Sequence, residues 1–130
     1  MTRNITEEDY NTIQSWWTDW GWSVIPRESL PNRGTGGLMS VDDEGNPVCA
    51  LFLYETNSNI AWSEFLISDP HNKNRGAYVK EVIDAVCDLA KKKGFSILFT
   101  CSSHKSAVNV YKKAGFNISE SNSSELIKIL

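Results

Sequence analysis

The sequence predicts a mixed α/β (α+β) fold: a sheet with an antiparallel front half, one βαβ crossover and a C-terminal hairpin. Three observations carry this. Apolar runs at residues 38–41, 48–55 and 60–68 are separated by turn formers, the pattern of an antiparallel meander. A long amphipathic stretch over about 76–93 then leads into a short apolar run at 96–101. Strand, crossover helix and strand in that order imply a right-handed βαβ unit with parallel strands.

Each element has a local reason. Residues 6–20 read as a helix, with Thr6 as N-cap and Glu7, Glu8 and Asp9 suited to the first turn. Ile13, Trp16, Trp17 and Trp20 fall at i, i+3, i+4 and i+7, one apolar face, and Gly21 ends the helix. Pro26, Pro31, Gly34, Gly36 and Gly37 mark an irregular stretch. The run 48–55 is the strongest strand signal, continuous and apolar as in a strand buried on both faces. Asp69 and Pro70 stop the strand at 60–68, and the polar segment 71–76 opens the long helix. Val79, Val82, Ile83, Val86, Leu89 and Ala90 form its stripe, and Gly94 is placed to terminate it. The run 96–101 reads as a short buried strand. A second helix at about 104–114 carries Ala107, Val110, Tyr111 and Ala114 on one side and ends at Gly115. Residues 117–121 and 125–130 read as a weak hairpin, whose last strand is a candidate edge for pairing in a homodimer.

The 130 residues fit one domain, 1–130. A chain of this size buries about two-thirds of its unfolded surface, so folding requires neither disulfide nor metal. Its 41% hydrophobic and 22% charged residues exclude a disordered chain. The longest unbroken apolar run, 48–54, is too short to span a bilayer. Acidic residues 7–9 and the lack of an apolar core near the N-terminus argue against a secretory signal, so the expected location is the cytoplasm. Cys49, Cys87 and Cys101 cannot all pair, and they read as reduced, buried thiols whose spacing matches no zinc pattern.

Charge is unevenly spread. Residues 1–70 hold three Lys/Arg against eleven Asp/Glu, a balance of −8; residues 71–130 hold ten against five, a balance of +5. Lys91, Lys92 and Lys93 read as a solvated helix face. The net charge of −3 argues against general nucleic-acid binding.

A few residues carry chemistry. Glu64 sits in a strand amid Trp62, Phe65 and Ile67; an apolar setting there would raise its pKa, as a general base requires, whereas the alternate face would make it a plain surface carboxylate. Glu55 at the preceding strand end is a second candidate. Residues 73–77, read by themselves, are a polar strand–helix loop with two bases. Cys101 and His104 suggest a thiol enzyme only if a third orienting group exists, and none is apparent. His71 and His104 have no further ligand at matching spacing, so no metal site is expected.

Two segments together resemble a known family. The run Ala107 to Phe116 has the A-x-x-x-Y-x-x-x-G-F spacing of a helix near the C-terminus of GNAT superfamily N-acetyltransferases. Ile67-Ser68-Asp69-Pro70 followed by Lys73-Asn74-Arg75-Gly76-Ala77 resembles that family's strand end and phosphate loop. The resemblance covers roughly residues 36–130, and the short chain with its Trp-rich first helix resembles compact members met in tailed phages, which would place it in a host cytoplasm.

The resemblance implies acetyl transfer from acetyl-CoA to a primary amine by direct attack. It implies Tyr111 as the acid that protonates the leaving thiolate, beside which Glu64, on the reading above, would be the base. It implies that Lys73, Asn74, Arg75, Gly76 and Ala77 hold the cofactor's phosphates at a helix N-terminus, and that a backbone N–H near Leu66 or Ile67 faces the thioester oxygen. His104 stands where the family commonly has an Asn at the cofactor site, and Tyr78 stands where its loop has a small residue. A Tyr ring in that slot would obstruct a pyrophosphate, and these two departures carry the alternative of a GNAT-fold binding or structural module without catalysis. The implied partners are a coenzyme A thioester and an amine, either polyamine-like or a protein Lys or N-terminus. Trp20 and Trp22, with the acidic front half, suggest an aromatic pocket for a cationic acceptor.

Overall fold

The computed structural model describes residues 1–130. Its elements are β1 (Thr2–Asn4), α1 (Asp9–Trp20), a 3₁₀ turn (Arg27–Ser29), a turn with left-handed residues at its centre (Pro31–Gly34), β2 (Gly37–Val41), β3 (Pro47–Tyr54), β4 (Ile60–Ser68), α2 (Arg75–Lys92), β5 (Ile97–Phe99) and α3 (Lys105–Lys113). The five strands form one sheet in sequence order. Neighbours are antiparallel except β4 and β5, which run parallel because α2 crosses between them.

Helix α1 covers one face and α2 with α3 the other. On the α1 side, Ile13, Trp16 and Trp17 pack on Met39, Ala50 and Phe52. On the other side, Val82, Ile83, Val86 and Tyr111 pack on Cys49, Leu51 and Leu53. Successive β3 residues thus feed alternate cores, which is why Val48 through Leu53 read as a continuous apolar run. No helix is long and apolar enough to cross a membrane.

Helix α1 starts later than predicted, and Thr6 does not cap it with its side chain. The polarity is reversed. The Asp9 carboxylate accepts from the Thr6 backbone N–H at 2.7 Å and its hydroxyl at 3.1 Å. Arg3, on β1, clasps the same carboxylate with two nitrogens, at 2.7 and 2.9 Å. At the other end Gly21 adopts φ 74°, a left-handed cap that favours glycine, and its N–H closes on Thr18 O.

Three predictions fail at the C-terminal side. Residues 96–101 form a strand only over Ile97–Phe99, and Ile97 is 46% exposed rather than buried. Cys101, beyond the strand end, is exposed; Cys49 is buried and Cys87 half-buried, and all three are free. The hairpin at 117–121 and 125–130 does not form; the sheet ends at β5. The first of these segments has Ile118 as its one large apolar residue, too little to bury a face, and β5 offers an edge of three residues. The strand β1 was not anticipated. Its polar residues earn their place through pairing with β2, as Thr2 opposes Ser40.

The Arg3–Asp9–Thr6 cluster joins β1 to α1. Burial pushes the Asp9 carboxyl up, but hydrogen bonds from Arg3 and Thr6 outweigh it and hold the value below the ordinary carboxylate range. A carboxyl depressed on folding adds stability above its unfolded value, about 3.9, and loses it as pH falls through the folded value. Asp9→Asn is expected to cost about 2 kcal/mol at neutral pH by urea unfolding, the gap from wild type narrowing below about pH 4.

Candidate active site

The site begins with a defect in β4. Ala50 opposes Ile67 and Phe52 opposes Glu64, so Leu51 faces both Phe65 and Leu66. This is a β-bulge, and Phe65 takes φ 59°, a strained value for a bulky side chain. A bulge bends its strand. Pairing of β4 with β5 accordingly stops at Trp62 and Phe99, and the strands part beyond it. A cleft of about 850 Å³ occupies the gap.

Cross-strand partners share a face, which sorts the residues of the gap. Glu64 opposes Phe52, whose side chain belongs to the α1 core; Ser63 opposes Leu53, in the α2 core. Tyr111 reaches the cleft from α3 on the Ser63 side. Glu64 and Tyr111 therefore approach the same gap from opposite faces of the sheet.

Their protonation follows from their surroundings. Burial, reinforced by the negative charge of Glu125, pushes Glu64 up to about 7. Burial first, then the nearby Cys49 and Glu64, push Tyr111 up to about 12, while Thr100 and Ser63 beside its hydroxyl pull the other way. At neutral pH the phenol keeps its proton and can donate it, and Glu64 is poised to gain or lose one. The Tyr111 ring is also packed as core, edge-on to Phe116 with centroids 5.1 Å apart. Its packing role and its access to the cleft coexist.

The N-terminus of α2 forms one end of the cleft through Lys73, Arg75 and Gly76. The loop is shaped by its own bonds: Asn72 Oδ1 accepts from Asn74 N, and Asn72 O accepts from Arg75 N and from its guanidinium. The Lys73 and Gly76 N–H groups have no protein acceptor. Asn74 and Ala77 are exposed and lie outside the cleft lining, although Asn74 is the N-cap of α2. Leu66 lines the cleft, whereas the Ile67 side chain is buried under α1. Glu55 is not brought to the site; it pairs with Lys93 Nζ at 3.2 Å on the surface.

The two departures from the family pattern have different fates. Tyr78 does not line the cleft; it packs on the α2-side core, and its carbonyl accepts from Ser40 Oγ at 2.9 Å. One helical turn before Val82, it shares that residue's inward face. His104 does line the cleft, stacked on Trp22 at 5.4 Å, and Trp22 stacks in turn on Trp20 at 5.5 Å. The other neighbour of Trp20 is the Arg75 guanidinium, 5.3 Å from the ring centroid. The indole N–H of Trp20 donates to Ser68 O at 2.8 Å. Among the lining residues that sequence reasoning missed, Glu125 is the charged one; nothing local signals it, because it arrives from a tail with no regular structure.

The fold has clear relatives among solved structures. An acetyltransferase from Trypanosoma brucei matches with a TM-score of 0.67 at 19% identity, covering 98% of this chain and 99% of its own. A Mycobacterium tuberculosis protein crystallised with CoA matches with a TM-score of 0.72 at 12% identity, covering 95% of this chain and 76% of its own. A Bacillus halodurans protein described as a transcriptional regulator matches with a TM-score of 0.71 at 14% identity, covering 98% of this chain and 99% of its own. No family model and no curated protein matches the sequence. The chain has the GNAT acetyltransferase fold, and one fold serves several functions.

Because folding raises Glu64 from 4.5 to about 7, its stabilising contribution is full below 4.5 and is lost as pH rises through 7. Carbon-13 NMR of the Glu64 carboxyl is expected to show a midpoint of about 7, and Glu125→Gln is expected to lower it. An unmoved midpoint would leave burial as its whole cause.

Proposed function

We propose that this chain is an acetyl-CoA-dependent N-acetyltransferase that acts on a primary amine by direct transfer. One observation carries the reading: the β4 bulge opens a gap that a near-neutral carboxyl and a protonated phenol enter from opposite faces. The crystallised CoA complex of a protein with the same fold supports the donor.

In this reading the phosphates sit at the N-terminus of α2, against the free Lys73 and Gly76 N–H groups and the charges of Lys73 and Arg75. The thioester arm lies in the gap, its carbonyl oxygen toward the unpaired backbone near Leu66 and Ile67. Glu64 takes a proton from the incoming ammonium, directly or through water. The neutral nitrogen attacks the carbonyl carbon, the C–N bond forms, and the C–S bond breaks. Tyr111 donates its proton to the departing thiolate. No covalent enzyme intermediate is required, so Cys101 has no assigned part.

His104, stacked on Trp22 within the cleft, is the observation that favours the second reading, a GNAT-fold binding module without catalysis. Calorimetry with acetyl-CoA separates the two: micromolar binding competed by CoA supports the enzyme, and no binding at millimolar donor supports the module. Given binding, Tyr111→Phe is expected to lower kcat about 100-fold with CoA affinity unchanged. The wild-type kcat/KM is expected to rise with pH through about 7 and to lose that limb in Glu64→Gln. A pH profile unchanged by Glu64→Gln would remove Glu64 from the mechanism.

A further inference from the structure

The aromatic residues facing the cleft do not form an empty cage. Trp22 stacks on both Trp20 and His104, and the Arg75 guanidinium lies over the Trp20 ring. The Trp20 ring thus already carries a cation, the chain's own guanidinium. That guanidinium has no carboxylate partner, and its remaining hydrogen bond goes to Asn72 O at 3.2 Å. Arg75 also belongs to the proposed phosphate site, next to the free Gly76 N–H. It thus has two alternative places within reach of one side chain: the indole face, or a phosphate oxygen.

We propose that Arg75 is a placeholder on Trp20, and that donor binding exchanges it for the positive charge of the acceptor, a diamine or oligoamine. The inference rests on the reading of the site given above. A charge-assisted bond between guanidinium and phosphate outweighs a cation–π contact at a partly exposed ring, so phosphate draws Arg75 from Trp20. The vacated ring then presents a cation site in the cleft that Glu64 and Glu125 also line. The attacking nitrogen must be neutral, so a charge held on Trp20 belongs to a second nitrogen of the acceptor. This is why the chemistry selects an amine bearing a further fixed cation over a monoamine. It also makes the two half-sites cooperative: the acceptor binds after the donor has moved Arg75.

The test is calorimetric titration of 1,4-diaminobutane into the full chain, with and without saturating CoA, with 1,4-butanediol as the uncharged control. CoA is expected to tighten diaminobutane binding about tenfold and to leave butanediol unaffected. In Arg75→Met, diaminobutane is expected to bind without CoA about as tightly as it binds wild type with CoA. CoA affinity itself is measured in the same series. If CoA does not bind, the donor site is wrong and this inference goes with it. If CoA binds but diaminobutane affinity is the same in its presence and absence, the donor reading stands and the placeholder is overturned. Wild type alone decides this, whatever the fate of the variant.

Discussion

The cleft of this molecule depends on one extra residue in β4. A strand in the interior of a sheet is normally paired along both edges, and every backbone N–H and C=O is then spent. Placing Phe65 and Leu66 opposite the single residue Leu51 breaks that condition. β4 keeps its partner β3 but turns away from β5, and the turn converts a seam of hydrogen bonds into a cleft. The strain is local, a positive φ at Phe65. It is held in place by the rungs on either side, the buried Phe52 against Glu64 and the buried Ala50 against Ile67.

The same bulge explains why two ionisable groups can share the gap without sharing a face. Side chains alternate along a strand, so a group on β4 and a group on the helix behind it are ordinarily separated by the sheet itself. Parting the strands removes that barrier. Glu64 stays on the α1 face and Tyr111 on the α2 face, yet the negative charge of Glu64 is felt at the Tyr111 hydroxyl. Both pKa values rise, chiefly through burial and secondarily through negative neighbours. The direction suits their chemistry: a carboxyl raised toward neutrality exchanges protons readily, and a phenol raised further retains its own.

Much of the scaffold was legible because it rests on periodicity. The strand at 60–68 was located to the residue, and α2 differs from its predicted span by one residue at each end, since a stripe such as Val79, Val82, Ile83, Val86 has one reading. The losses have a common cause, dependence on distant partners. β1 exists because β2 is beside it. The C-terminal hairpin fails because the apolar residues of 125–130 cannot compensate for a short, exposed β5 edge. Within the site, Glu64 and Tyr111 were visible as residue types in context, and the structure brings both to one cleft. The bulge was invisible because it is a backbone event with no required side chain. The inward turn of Tyr78 was missed because a loop motif was extended one residue too far, into a helix whose inward face had already begun.

The aromatic column shows how the front half of the chain bears on the donor end. Trp20 and Trp22 follow one another across the end of α1, and Gly21 between them provides the left-handed turn that lets both rings lie over the cleft. Through Trp20 the column is fixed to the last residue of β4, and through Arg75 and His104 it touches the first turn of α2 and the N-cap of α3. Those are the three places where the sheet and helices open toward the cleft. Trp22 is 40% exposed and His104 is exposed, so the column is a surface stack held by its contacts rather than part of the core. One aromatic stack thus ties the end of β4 to the starts of both helices that border the cleft.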